Sequence, residues 1–133
     1  MVLDTSAVVA CLAGEPEAAP MRALIAGADA LTISAFTVFE CRVVLGRLFG
    51  EAMVREFELL LAKAGVEVVA FDEEQANVAH AAYLRFGKGT GHPAQLNLGD
   101  CAAYALAVSR GEPLLYKGAD FRHTDVESAL PPE

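Results

Sequence analysis

The first eight residues, Met1-Val2-Leu3-Asp4-Thr5-Ser6-Ala7-Val8, constrain this chain more than any other stretch. An apolar pair runs straight into a carboxylate and then into small residues that restart an apolar pattern, which reads as strand, acid, helix. In an open α/β sheet the ligand site lies beyond the carboxyl ends of the strands, so an Asp leaving the first strand stands where a site belongs. Taken alone, Asp4 is explained more simply as the N-cap of the helix that follows it. The acids further along the chain change that balance.

The remaining elements alternate. A helix over 6–27, broken near Gly14-Glu15-Pro16 with Pro16 in the first turn of its second half, leads to a short strand over 30–35. Thr37 then caps a helix that runs to Phe49, and Glu40, three residues on, completes a capping box. A further helix over 51–64 is closed by Gly65, and the β-branched run 66–71 reads as a buried strand. Asp72 caps a helix to Phe86, a glycine-rich connection spans 87–93, Asn97 caps a helix over 98–109, and 113–116 is a last strand. The glycine spacing of 87–93 fails the pattern of a phosphate-binding loop. Strands alternating with helices predict one α/β domain over 1–133, a small, mainly parallel sheet flanked by helices on both faces.

Charge limits the partners. Ten Lys and Arg against 18 Asp and Glu leave a net charge of −8, a poor balance for holding nucleic acid unless a local basic strip or metal ions mediate. Arg42, Arg47, Arg85, Lys88, Lys117 and Arg122 are available for such a strip. Cys11, Cys41 and Cys101 lie in apolar helical stretches with no zinc or iron–sulfur spacing, and an odd number of buried thiols predicts a reducing cytoplasm. There is no basic leader and no apolar run of membrane-spanning length, so no membrane association is expected.

Glu40 shares a helix face with Phe36, Val43 and Val44, an apolar setting in which a charge needs a reason. Asp100 stands three residues after Asn97, on a helix face with Ala103, Tyr104 and Ala107, where helix-dipole compensation is its simplest role. Asp120 follows the last strand and Gly118, as a turn Asp would. Each acid has a bland explanation, yet one cleft at the sheet's carboxyl edge explains Asp4, Glu40, Asp100 and Asp120 together. Clustered carboxylates raise one another's pKa, a cost that a divalent cation removes. Oxygen ligands without His or Cys select Mg²⁺ or Mn²⁺, and such a cluster suits in-line displacement at phosphorus.

At these residues the chain resembles the PIN-domain ribonucleases, and among them the VapC-type toxins of toxin–antitoxin modules. The resemblance covers nearly the whole length and rests on Val2-Leu3-Asp4-Thr5-Ser6-Ala7, the Thr37-x-x-Glu40 helix, Leu96-Asn97-Leu98-Gly99-Asp100-Cys101, and Leu114-Leu115-Tyr116-Lys117-Gly118-Ala119-Asp120-Phe121 with Thr124-Asp125. It implies that Asp4, Glu40, Asp100 and Asp120 are catalytic, metal-binding carboxylates, with Thr5 or Ser6 and Asn97 supporting them. It implies an endoribonuclease that is restrained by an antitoxin with a basic inhibitory segment, and a homodimer is expected. Many PIN domains read Ser/Thr-x-Asp-x-Asp-Phe near the last acid, whereas Tyr116 and Gly118 stand at the first two of those positions here, so Asp120 carries that side with Asp125 as a possible helper. Arg42, Lys117 and Arg122 are the basic residues assigned to RNA. A groove between helices 36–49 and 53–61, walled by Val38, Val44, Leu48, Phe57 and Leu60, is offered to the antitoxin's apolar segment, although core or homodimer packing explains the same residues.

A receiver-like Mg²⁺-binding signalling module is the competing reading, with Lys117 as its lysine. It gathers acids at the ends of its first and third strands, Asp72-Glu73-Glu74 here, and leaves Glu40 and Asp100 without a role.

Overall fold

The computed structural model describes residues 1–131. Strand β1 (Val2–Leu3) passes through Asp4 into α1 (Thr5–Ala13), which ends on Gly14 in the left-handed conformation. Helix α2 (Ala18–Gly27) follows, then β2 (Thr32–Ser34), α3 (Ala35–Phe49) and α4 (Glu51–Lys63). The chain continues through β3 (Glu67–Val69), α5 (Glu73–Phe86), α6 (Leu98–Arg110), β4 (Leu114–Leu115) and a 3-10 turn at Asp120–His123. The four strands pair in the order β3-β2-β1-β4, all parallel. This is the predicted sheet, with β1 in its interior.

Alternation along such short strands builds two cores at once. Val2 and Leu114 point to one face, where they meet Phe86, Ala103, Tyr104 and Ala107 of α5 and α6. Leu3 and Leu115 point to the other, against Val8, Met21, Leu45 and Phe57. From Cys101 to Ala107 every residue of α6 is buried, and four of those seven are alanines, so α6 packs closely onto the sheet. No helix among the described residues is long and apolar enough to cross a membrane.

Four expectations are corrected. Ser34, not Thr37, caps α3: its side chain accepts from the Phe36 amide, because β2 runs into the helix without a loop. Thr37 therefore falls inside the first turn, fully buried. The strand 66–71 is shorter and lies at the sheet's edge with Val68 49% exposed, since only β2 flanks it. Pro16 precedes α2, whose cap is Glu17, instead of entering its first turn. In the proposed groove Val38 and Phe57 are core residues, because the inward face of α3 is Thr37, Val38, Cys41 and Leu45; of the five predicted walls Leu48 is exposed, as are Phe39 and Val43 outside that set.

Burial ranks the consequences of truncation. Phe57→Ala, at a side chain with no exposed surface, should cost about 3–5 kcal/mol in urea denaturation. Leu98→Ala, at a residue 69% exposed, should stay within about 0.5 kcal/mol. Equal losses would contradict this packing.

Candidate active site at the carboxyl edge of the sheet

Each acid arrives from a different element. Asp4 leaves β1, Glu40 projects from α3 just after β2, Asp100 lies in the first turn of α6, and Asp120 opens the turn after β4. Gly118 makes that last placement possible: with φ +99, the chain reverses where an L side chain is strained. Tyr116 packs against Phe121 in a tilted ring pair, 5.0 Å between centroids, and holds the same loop.

Asp4 is almost completely buried. Its Oδ2 accepts from the Ser6 amide at 3.0 Å and from the Ser6 hydroxyl at 2.5 Å, while the Lys117 amide donates to that hydroxyl at 2.9 Å. Its Oδ1 is buried without a hydrogen-bond partner. Burial is the main cause that pushes this carboxyl up to about 7; the charges of Asp100 and Glu40 add to it, and the Ser6 bonds oppose it.

Asp100 and Asn97 form a reciprocal capping box: Asn97 Oδ1 accepts from the Asp100 amide at 2.8 Å, and Asp100 Oδ2 accepts from the Asn97 amide at 3.0 Å. Burial, followed by the Glu40 and Asp120 charges, holds Asp100 up at about 6 against that amide. The four acids are thus linked electrostatically, Asp4 to Asp100 and Glu40, and Asp100 to Glu40 and Asp120. Glu40 is the sixth residue of α3, too far along to serve as a capping-box acid. Its Oε1 accepts from the Thr5 hydroxyl, and the Cys41 thiol in turn lies 3.7 Å from Thr5 Oγ1. Thr5 and Ser6 therefore have separate duties, one at Glu40 and one at Asp4.

Other sequence-assigned residues are engaged elsewhere. Asp125 accepts from the Tyr104 hydroxyl and lies 3.5 Å from Arg85 Nη1, so it ties the chain's end to α5 and α6. Arg42 Nε pairs with Glu58 Oε1 at 2.7 Å. Lys117 Nζ is 3.1 Å from Glu15 and 3.5 Å from Glu17, an arrangement unlike a receiver's lysine. Asp72 caps α5 by accepting from the Gln75 amide at 2.9 Å. Arg122 is exposed on the 3-10 turn, two residues past Asp120. A cleft of about 940 Å³ flanks this loop, lined in part by Lys117, Gly118 and Arg122, and none of the four acids lines it.

Among the described residues no three acidic, histidine or cysteine side chains already stand as a metal cage. One residue was passed over in the sequence. Gly99 lies in the first turn of α6 against the Glu40 carboxylate; the readable signal was a helix glycine between a cap and an acid.

The model of the PIN domain family matches residues 1–127. The chain is 46% identical over 130 residues to ribonuclease VapC28 of Mycobacterium tuberculosis, covering 98% of each. The crystal structure of M. tuberculosis VapC20, a sarcin-ricin loop cleaving toxin, superposes with a TM-score of 0.80 at 17% identity, covering 98% of each chain. A toxin–antitoxin complex from Klebsiella pneumoniae gives 0.67 at 20% identity, covering 90% of this chain and 88% of that one.

The buried acid sets a pH dependence. With Asp4 raised from its ordinary 3.8 to about 7, the folded state holds more protons than the unfolded chain between those values, so Asp4's contribution to stability falls as pH rises through the window. Asp4→Asn, which carries no charge, should gain on the parent protein across that window. The gap at neutral pH should be on the order of 4 kcal/mol in metal-free chemical denaturation. A gap that shrinks with rising pH would be the contrary result.

Proposed function

Because the chain belongs to the PIN-domain family, among its VapC ribonucleases, we propose that it is a metal-dependent endoribonuclease, the toxin of a toxin–antitoxin module, with Mg²⁺ or Mn²⁺ held by Asp4, Glu40, Asp100 and Asp120. The observation that carries the metal assignment is the unpartnered, buried Asp4 Oδ1 beside two further carboxylates. A buried carboxylate oxygen without a donor is costly, and a hard cation is the partner that satisfies it and neutralises its neighbours together. The donors are all carboxylate oxygens, the set that favours Mg²⁺ and Mn²⁺ over zinc.

When bound, such an ion supplies the Lewis acidity that hydrolysis of an RNA phosphodiester requires at neutral pH. The protein supplies the arrangement. Ser6 holds Asp4, Thr5 holds Glu40, and Asn97 fixes the start of α6 and with it Asp100. Arg122 is the basic residue we assign to the RNA backbone, since Arg42 and Lys117 already spend their charge on glutamates.

Asp4→Asn and Asp100→Asn, which keep side-chain shape and remove a ligand charge, should each lower RNA cleavage on the order of a hundredfold or more while circular dichroism stays unchanged. Millimolar Mn²⁺ should raise the melting temperature of the parent, with a stabilisation of about 2.7 kcal/mol at a hundred times the dissociation constant, and should leave a variant with all four acids replaced by Ala unaffected. Full cleavage by either Asn variant, with contaminating nuclease excluded, would remove these residues from the site.

The partner reading follows from the same cluster, and the Klebsiella structure supports it as a complex of a toxin with its antitoxin. Four acids brought to one edge of the sheet suit an Arg from an antitoxin's basic segment, whose planar guanidinium pairs bidentately with carboxylates. Exposed Phe39 beside Glu40 and Leu98 beside Gly99 offer that segment apolar contact, a role the core residues Val38 and Phe57 do not fill. The toxin is read as a cytoplasmic homodimer. Replacing the antitoxin's Arg by Ala should weaken inhibition, and excess Mn²⁺ should compete with the peptide. Inhibition indifferent to both would mean that the antitoxin obstructs the RNA path instead.

A further inference from the structure

Gly99 is the one glycine of α6, and nothing in its backbone calls for glycine: its φ lies outside the left-handed region. Alanine is the better helix former, so a glycine held in a helical turn stands against intrinsic propensity. Space explains it. A Cβ built on Gly99 would overlap both oxygens and the Cδ of the Glu40 carboxylate, which is to say the whole head group and no other part of the protein as closely. On its other side that head group receives the Thr5 hydroxyl. Glu40 is therefore held between the first turns of α1 and α6.

We infer that Gly99 is a positioning residue for Glu40: the missing side chain leaves the slot in which the carboxylate reaches the acidic cluster, and any side chain there displaces it. The overlapped atoms are the free end of a flexible side chain, so Glu40 can swing away without moving backbone. Gly99→Ala should accordingly keep the fold, with a melting temperature equal to or above the parent's, while the carboxylate leaves Thr5.

This rests on the metal-dependent nuclease reading, and the test separates the two. Crystals of Gly99→Ala should show the Glu40 carboxylate off the Thr5 hydroxyl, a result independent of any metal. Calorimetric titration with Mn²⁺ alone should show affinity lowered about 10- to 100-fold in Gly99→Ala, and no further loss when the same change is made in Glu40→Ala, since Gly99 acts only through Glu40. If Gly99→Ala does not fold, the Gly99→Ala/Glu40→Ala pair should, because the overlapping group is gone. An unmoved carboxylate, an additive loss in the Glu40→Ala background, or a double variant that also fails to fold would overturn the assignment. A parent protein that binds no Mn²⁺ would defeat the metal reading and leave the crystallographic outcome to decide this one.

Discussion

Burying the Asp4 carboxylate at the end of an interior strand is the constraint on which the site depends. β1 has a parallel neighbour on each side and a covered face above and below, so the residue after Leu3 emerges deep between α1, α3 and α6. Water cannot solvate a charge placed there, and the two donors from Ser6 satisfy only one of its oxygens. An Asn of the same shape would relieve the penalty. A cost of that kind, kept where a neutral isostere fits, marks a functional group more reliably than any surface acid.

A capping role leaves these carboxylates free for a second contact. Asp4 Oδ2 caps α1 and leaves Oδ1 without a partner, while Asp100 Oδ2 caps α6 against the Asn97 amide. In each case the cap fixes the carboxylate plane, and a carboxylate has two oxygens. The helix starts thus satisfy their own amides while keeping the acids of α1 and α6 within electrostatic reach of each other. Glu40 has no such anchor in its own helix, and its fixing contacts come from Thr5 on α1 and Gly99 on α6.

What was legible in the sequence follows from this difference. Asp4, Asn97 and Asp72 were readable because a cap is a local event, settled within three residues. The parallel sheet was readable because alternating strands and helices leave few other solutions. Thr37 was misread for a reason equally local: Ser34 and Thr37 are both good caps three residues apart, and the choice was made by β2 running into α3 without a loop. The shortness and exposure of β3 followed from sheet order, which no single segment encodes. Asp125 with Tyr104, and Lys117 with Glu15, are partners 21 and 102 positions apart, beyond the reach of spacing arguments.

Charge then acts on two scales. A net −8 repels RNA at long range, and four of the ten basic side chains, Arg42, Arg85, Arg110 and Lys117, already face acids within the protein. At short range the four acids make this edge still more negative, and a divalent cation held there, as proposed, would reverse the sign of the local field. On the proposed reading, attraction for a phosphodiester is created at the point of cleavage, with exposed Arg122 beside it. On that reading the same acids, without a cation, attract a guanidinium. Nuclease and inhibitor complex are, on the same reading, two ways of neutralising one over-acidic site, centred on the buried Asp4.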